Sequence, residues 1–132
     1  MTKGGQASMR LSAFARALHR LTEALTKPDD PIVRDACIQR FEFTFEMAWR
    51  ALQEHAAREG LECASPRECI RVGFRLRVID NDPRWLAMVE DRNRTSHTYD
   101  EDSAIVIYRA LPGYAEILQS LLDRLTLAEG TP

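Results

Sequence analysis

The sequence predicts an all-α protein, an up-and-down four-helix bundle with an additional short helix. Three observations carry that reading. Apolar residues recur at three- and four-residue steps over long stretches, Pro follows Asp or Ser where helices would begin, and the alternation of strands is weak. The 132 residues suit one domain with a real core, and 45% hydrophobic with 29% charged residues is an ordinary globular composition. We expect the domain to span residues 10–127, with flexible ends at 1–9 and 128–132.

Leu11, Phe14, Leu18, Leu21 and Leu25 mark one face of a first helix. Lys27-Pro28-Asp29-Asp30-Pro31 breaks it, with Asp30 as an N-cap and Pro31 as a first helical residue. A long helix should then run from about Pro31 to Glu59. Its main stripe is Cys37, Phe41, Phe45, Ala48, Leu52 and Ala56, while Phe43 and Met47 lie nearly opposite. A helix apolar on two faces is buried on two faces, so it is either central or lines a subunit interface. Gly60 is its expected stop.

Ser65-Pro66-Arg67-Glu68 is a capping box, opening a short helix to about Leu76. Asp80-Asn81-Asp82-Pro83 hands a cap to a helix carrying Trp85, Leu86, Met88 and Val89. Asp100-Glu101-Asp102 starts the last helix, with Ala104, Ile107, Leu111, Ala115, Leu118, Leu122 and Leu125 as its stripe. Pro112-Gly113 falls inside that stripe and predicts a kink or a break into two helices.

The net charge of −2 gives no whole-protein attraction to nucleic acid. Cys37, Cys63 and Cys69 are odd in number and contain no Cys-x-x-Cys pair. Neither a disulfide framework nor a zinc site is therefore expected, and a reducing cytoplasm is the natural setting. No metal and no cofactor is expected. No apolar run approaches a membrane span, and the polar start, Met1 to Met9, is not a signal peptide.

The helix after Pro83 holds the candidate chemistry. Trp85, Met88 and Val89 begin a line that continues as Arg92, Ser96 and Tyr99. Leu86, Glu90, Asn93 and His97 form its neighbour. A stripe that turns from core into Arg, Asn, Ser, His and Tyr is either a polar cleft or a solvated helix end. Arg92 and His97 are five apart, roughly 140° on an ideal helix. Either the helix loosens near Ser96, or the site combines groups from two subunits.

Arg92 followed by Asn93 and His97 resembles the Arg-x4-6-His motif of the HEPN superfamily, and Tyr99 completes its His-x-Tyr form. The segments Phe41 to Trp49, Ser65 to Glu68 and Glu90 to Glu101 are similar to the superfamily's branch of nucleotidyltransferase substrate-binding proteins. The resemblance spans about Leu11 to Leu125. It implies a helical bundle that forms a homodimer with facing motifs, and a minimal nucleotidyltransferase as partner. It further implies a toxin-antitoxin pair in which this chain is a metal-independent endoribonuclease, silenced by AMP addition to Tyr99. An alternative within the same branch is a non-catalytic substrate-binding subunit of the transferase. In the catalytic reading His97 moves protons, Arg92 holds the phosphate and Asn93 orients either. Arg94 and Ser96 would bind RNA or nucleotide.

Other candidates have plainer readings. His19 and His55 read as boundary histidines, and Phe41, Phe45, Trp49 and Trp85 as core or interface. Arg67, Arg71, Arg75 and Arg77 read as a solvated face or, in an RNA cleaver, as its electrostatic footprint. Glu42 and Glu46 read as surface or interface.

Overall fold

Most of the helices start where the sequence supplies a cap. A computed structural model describes residues 8–97 and 100–130. Ser8 Oγ accepts from the Leu11 amide at 3.1 Å and opens α1 (Met9–Leu25). Asp30 accepts from the Val33 amide at 2.8 Å and opens α2 (Pro31–Arg58), with Pro31 in the first turn. Past the end of α2, Gly60 has a φ of 79°, a left-handed value that glycine takes without steric cost. Ser65 accepts from the Glu68 amide at 3.2 Å and Glu68 accepts from the Ala64 amide at 2.9 Å, so the capping box forms at the start of α3 (Pro66–Arg75). Asp82 accepts from the Arg84 amide just ahead of α4 (Arg84–Arg94), whose N-cap position, Pro83, has no side-chain cap bond. A 3₁₀ turn, Thr95–His97, follows, and α5 (Glu101–Gly130) ends the described chain.

Cross-helix bonds fix the topology. Arg40 and Thr44 donate to the carbonyls of Arg20 and Ala17, and Arg10 donates to that of Arg50, so α1 and α2 are antiparallel. Arg34 pairs with Glu101 and Arg58 with Glu129, so α2 and α5 run in the same direction. Arg92 and Thr95 reach Glu46 and Glu42, which sets α4 antiparallel to α2. The bundle is thus up-and-down. The helices α2 and α5 form its short diagonal, because they pack together while α1 and α4 do not. Phe14, Phe41, Phe45, Met88, Leu111 and Leu118 are fully buried at the centre, and Phe41 stacks on Tyr114 with ring centroids 5.6 Å apart. Burial of each such side chain is worth about 1.5–3 kcal/mol. At Gly73 an added Cβ would lie 2.8 Å from Ile79 Cδ1 and 2.9 Å from Leu52 Cδ2, so glycine lets α3 sit close on α2. No strand occurs among the described residues.

Two expectations need correction. Cys63 and Cys69 form a disulfide, leaving Cys37 free and buried. Counting cysteines missed it because folding of the capping box brings the two sides of the α3 start together. Cys69 is the fourth residue of α3, where an apolar residue often packs back on the incoming chain. At Pro112, α5 is not split into two helices. Pro112 is exposed, while Leu111, Tyr114 and Ala115 beside it are buried, so packing on both sides outweighs the missing backbone bond. For the second apolar face of α2 the interface alternative stands, since the chain covers that face only in part: Met47 packs against the core. Phe43 is 56% and Ile32 80% exposed, and Met47 is half-buried.

Candidate functional site at the end of α4

The α4 helix is amphipathic until its last turn. Trp85, Met88 and Val89 are buried against the bundle, and the same direction then continues into Arg92. The end of α4 is fastened to two helices, α2 and α5. Arg92 lies 3.5 Å from Glu46 of α2, and 37% of its side chain remains exposed. Thr95, which is buried, donates to Glu42 of α2 at 2.8 Å and is 2.7 Å from the Arg92 carbonyl. Asp91, also buried, accepts from Tyr114 Oη of α5 and pairs with Arg94 at 3.3 Å. Burial, followed by the hydrogen bond to the Asp91 carboxylate, pushes the Tyr114 phenol well above its ordinary pKa.

Glu46 serves three donors. Besides Arg92 it accepts from Trp49 Nε1 and Arg50 Nε, both at 3.2 Å, and Arg50 lies over the Trp49 ring at 4.3 Å. Arg92 is therefore held in place by a carboxylate that it shares. Among the described residues its side chain has no second ion pair, and its exposed part can meet an anion from solvent.

The sequence-derived residues divide clearly. Asn93, Arg94 and Ser96 are exposed, and Ser96 Oγ is 3.4 Å from the Asn93 carbonyl. The His97 backbone closes the 3₁₀ turn; its side chain and all of Tyr99 lie outside the described residues. The helix does not loosen near Ser96, as one of the two expectations had it; it tightens into the 3₁₀ turn Thr95–His97. Sequence reasoning missed the supports: Glu42, Glu46, Asp91, Thr95 and Tyr114. The four-residue spacing of Glu42 and Glu46 was the available signal, since it places both on one edge of α2. His19 is exposed and His55 half-buried. Among the described residues, no group of three or more His, Cys, Asp and Glu side chains is arranged to hold a metal ion. No helix among them is long and apolar enough to cross a membrane.

Comparison with known proteins matches residues 9–127 to the family described as nucleotidyltransferase substrate binding protein like. The chain belongs to this family. A Haemophilus influenzae protein named Probable ribonuclease HepT is 26% identical over 93 residues, covering 67% of this chain and 64% of that protein. The chain thus matches less than two thirds of that relative's length. A crystal structure of a Thermus thermophilus protein superposes with a TM-score of 0.80 at 43% identity, covering 85% of this chain and 98% of that one. A Haemophilus influenzae structure, described as revealing the fold of a substrate binding domain of a nucleotidyltransferase, superposes with a TM-score of 0.78 at 21% identity. It covers 87% of this chain and 98% of its own. At that identity it speaks for the fold of the family, which is the bundle seen here.

Proposed function

We propose that this chain is the HEPN member of a HEPN/minimal-nucleotidyltransferase toxin-antitoxin pair, a homodimer that cleaves RNA without a metal ion. The carrying observation is Arg92: an arginine half-open to solvent, oriented by Glu46, five residues before His97. The relative named as a ribonuclease supports this reading. In the reaction the 2′-oxygen of RNA attacks the neighbouring phosphorus and the 5′-oxygen leaves. One base removes the 2′-proton and one acid supplies the leaving oxygen with another. Imidazole can serve either step near neutral pH. Arg92 stabilises the charge that builds on the phosphoryl oxygens, while Arg94 and Ser96 contact RNA and Asn93 orients the reacting groups.

A 3₁₀ turn advances about 120° per residue, so tightening at Thr95 does not bring positions 92 and 97 onto one face. A site built from two copies answers this, and the exposed apolar face of α2 is the proposed interface. The second reading, a non-catalytic substrate-binding subunit of the transferase, draws on the family's description.

Incubation of the pure protein with RNA, with and without a chelator, separates the two. Wild type should cleave in both conditions, and Arg92→Ala or His97→Ala should lower the rate by about 10²–10⁴ with helicity retained. Equal inertness of wild type and His97→Ala would hand the case to the second reading. Control is proposed to act through Tyr99. A bulky AMP on its hydroxyl sets a phosphate in competition for Arg92. Intact mass after co-expression with the cognate transferase should show whole AMP increments that vanish in Tyr99→Phe; persistence in that variant would remove Tyr99 from the mechanism.

A further inference from the structure

A second basic feature lies away from the motif, in a groove between α3 and α4. Its walls include Arg67, Ile70, Arg71 and Phe74 from α3 and Trp85 and Leu86 from α4. Phe74 is 48% and Leu86 50% exposed, an uncommon setting for two large apolar side chains facing one groove. Arg67 and Arg71 are exposed and make no ion pair or side-chain hydrogen bond among the described residues. The acidic residues at the groove are already engaged: Asp80 pairs with Arg124 at 2.9 Å and Asp82 with Arg84 at 2.8 Å. The groove thus offers uncompensated positive charge beside an open aromatic face, on a protein whose net charge is −2.

We propose that this groove binds a single-stranded stretch of RNA, with Arg67 and Arg71 on its phosphates and Phe74 stacked on a base. The combination of guanidinium groups tracking a backbone with an aromatic platform is what sequence-tolerant single-strand binding needs. The arginines alone would suit any polyanion; the exposed ring in the same groove favours bases over an acidic protein surface. Position also fits. Leu86 at the groove and Asn93 in the motif are seven residues apart on one face of α4, about 10 Å along its axis. Glu90 stands exposed between them, so phosphates are held at the two ends, by Arg67 and Arg71 and by Arg92 and Arg94. The groove would present flanking RNA to the motif rather than cut it. The choice of RNA rests on the ribonuclease reading; the groove itself does not.

The test uses the full chain carrying His97→Ala and a fluorescein-labelled single-stranded RNA of about 12 nucleotides. Fluorescence anisotropy is followed across a salt series. Adding Arg67→Ala and Arg71→Ala should weaken binding tenfold or more and reduce the salt slope by about 1.4, the value for two lost phosphate contacts. Phe74→Ala should weaken binding about 5- to 100-fold with the slope unchanged. Arg16→Ala with Arg20→Ala, exposed arginines on α1, serves as the charge-matched control and should change binding less than about twofold. Groove variants that bind like their parent would overturn the proposal, as would a control that loses as much. Unchanged RNA binding with lost affinity for the cognate transferase would make the groove a protein-docking surface instead. Groove-dependent binding by a wild-type chain that never cleaves would keep this inference and sink the ribonuclease reading. Cleavage that ignores the groove variants, with RNA binding also unchanged, would do the reverse.

Discussion

Asp91 sits one residue before Arg92 and is buried, so its partners set where the motif begins. Tyr114 donates to it from across the bundle, and Arg94 pairs with it from one turn further along α4. Tyr114→Phe removes a buried donor while keeping the ring that stacks on Phe41. We expect a loss of about 1–3 kcal/mol in urea unfolding, because Asp91 is left less satisfied. The pH dependence has a definite sign. The folded state raises the phenol's pKa, so its stabilising contribution is whole below about pH 10, where the unfolded chain's tyrosine titrates, and is lost as pH rises above that. Stability measured from pH 7 to 11 should therefore fall less steeply at the alkaline end in Tyr114→Phe. An identical alkaline limb in both proteins would deny Tyr114 this role. Such a tie was not legible beforehand. A tyrosine in the stripe of one helix and an aspartate in another reveal nothing of each other until the bundle sets them side by side.

The helices themselves were legible, because their signals are local. Asp30-Pro31 and Ser65-Pro66 open helices through bonds spanning three residues, and apolar spacing names the faces. What failed depends on the fold. Cys63 and Cys69 meet because a capping box folds the chain back, and Pro112 is absorbed because its neighbours are locked in the core. The long helix shows both cases. Its doubly apolar pattern called for two buried faces, and one chain buries only the Phe41 and Phe45 side. Phe43 and Ile32 remain in solvent on the other. Phe43→Glu should leave helicity intact and change monomer stability by no more than about 0.5 kcal/mol, since the side chain is exposed there. It should weaken the dimer by about 10²–10⁴, because two-fold symmetry removes two apolar side chains at about 1.5–3 kcal/mol each. Sedimentation velocity at micromolar concentration reads the outcome. A wild type that is already monomeric, or a variant that stays dimeric, would exclude this face as the interface.

On the scale of the whole molecule, the interface and the motif become one question. Glu42 and Glu46 flank Phe43 and Met47 on α2, and the same two carboxylates hold Thr95 and Arg92. An assembly built on that face of α2 therefore brings the end of α4 from each copy close to the two-fold axis. There the separation of positions 92 and 97 around the helix ceases to be an obstacle, since Arg92 of one copy can work with the histidine of the other. Mixing two inactive variants tests this directly. Arg92→Ala and His97→Ala chains, unfolded together and refolded at equal concentration, give half mixed dimers. In each mixed dimer a composite arrangement leaves one site with both groups intact and one with neither. Cleavage should therefore return to about a quarter of the wild-type rate, although either variant alone is inactive. If Arg92 and His97 of the same chain act together, every site in the mixture lacks one of them and no activity returns. Recovery that disappears when Phe43→Glu is added to both chains would tie the site to this interface; recovery that survives it would place the shared site elsewhere on the molecule.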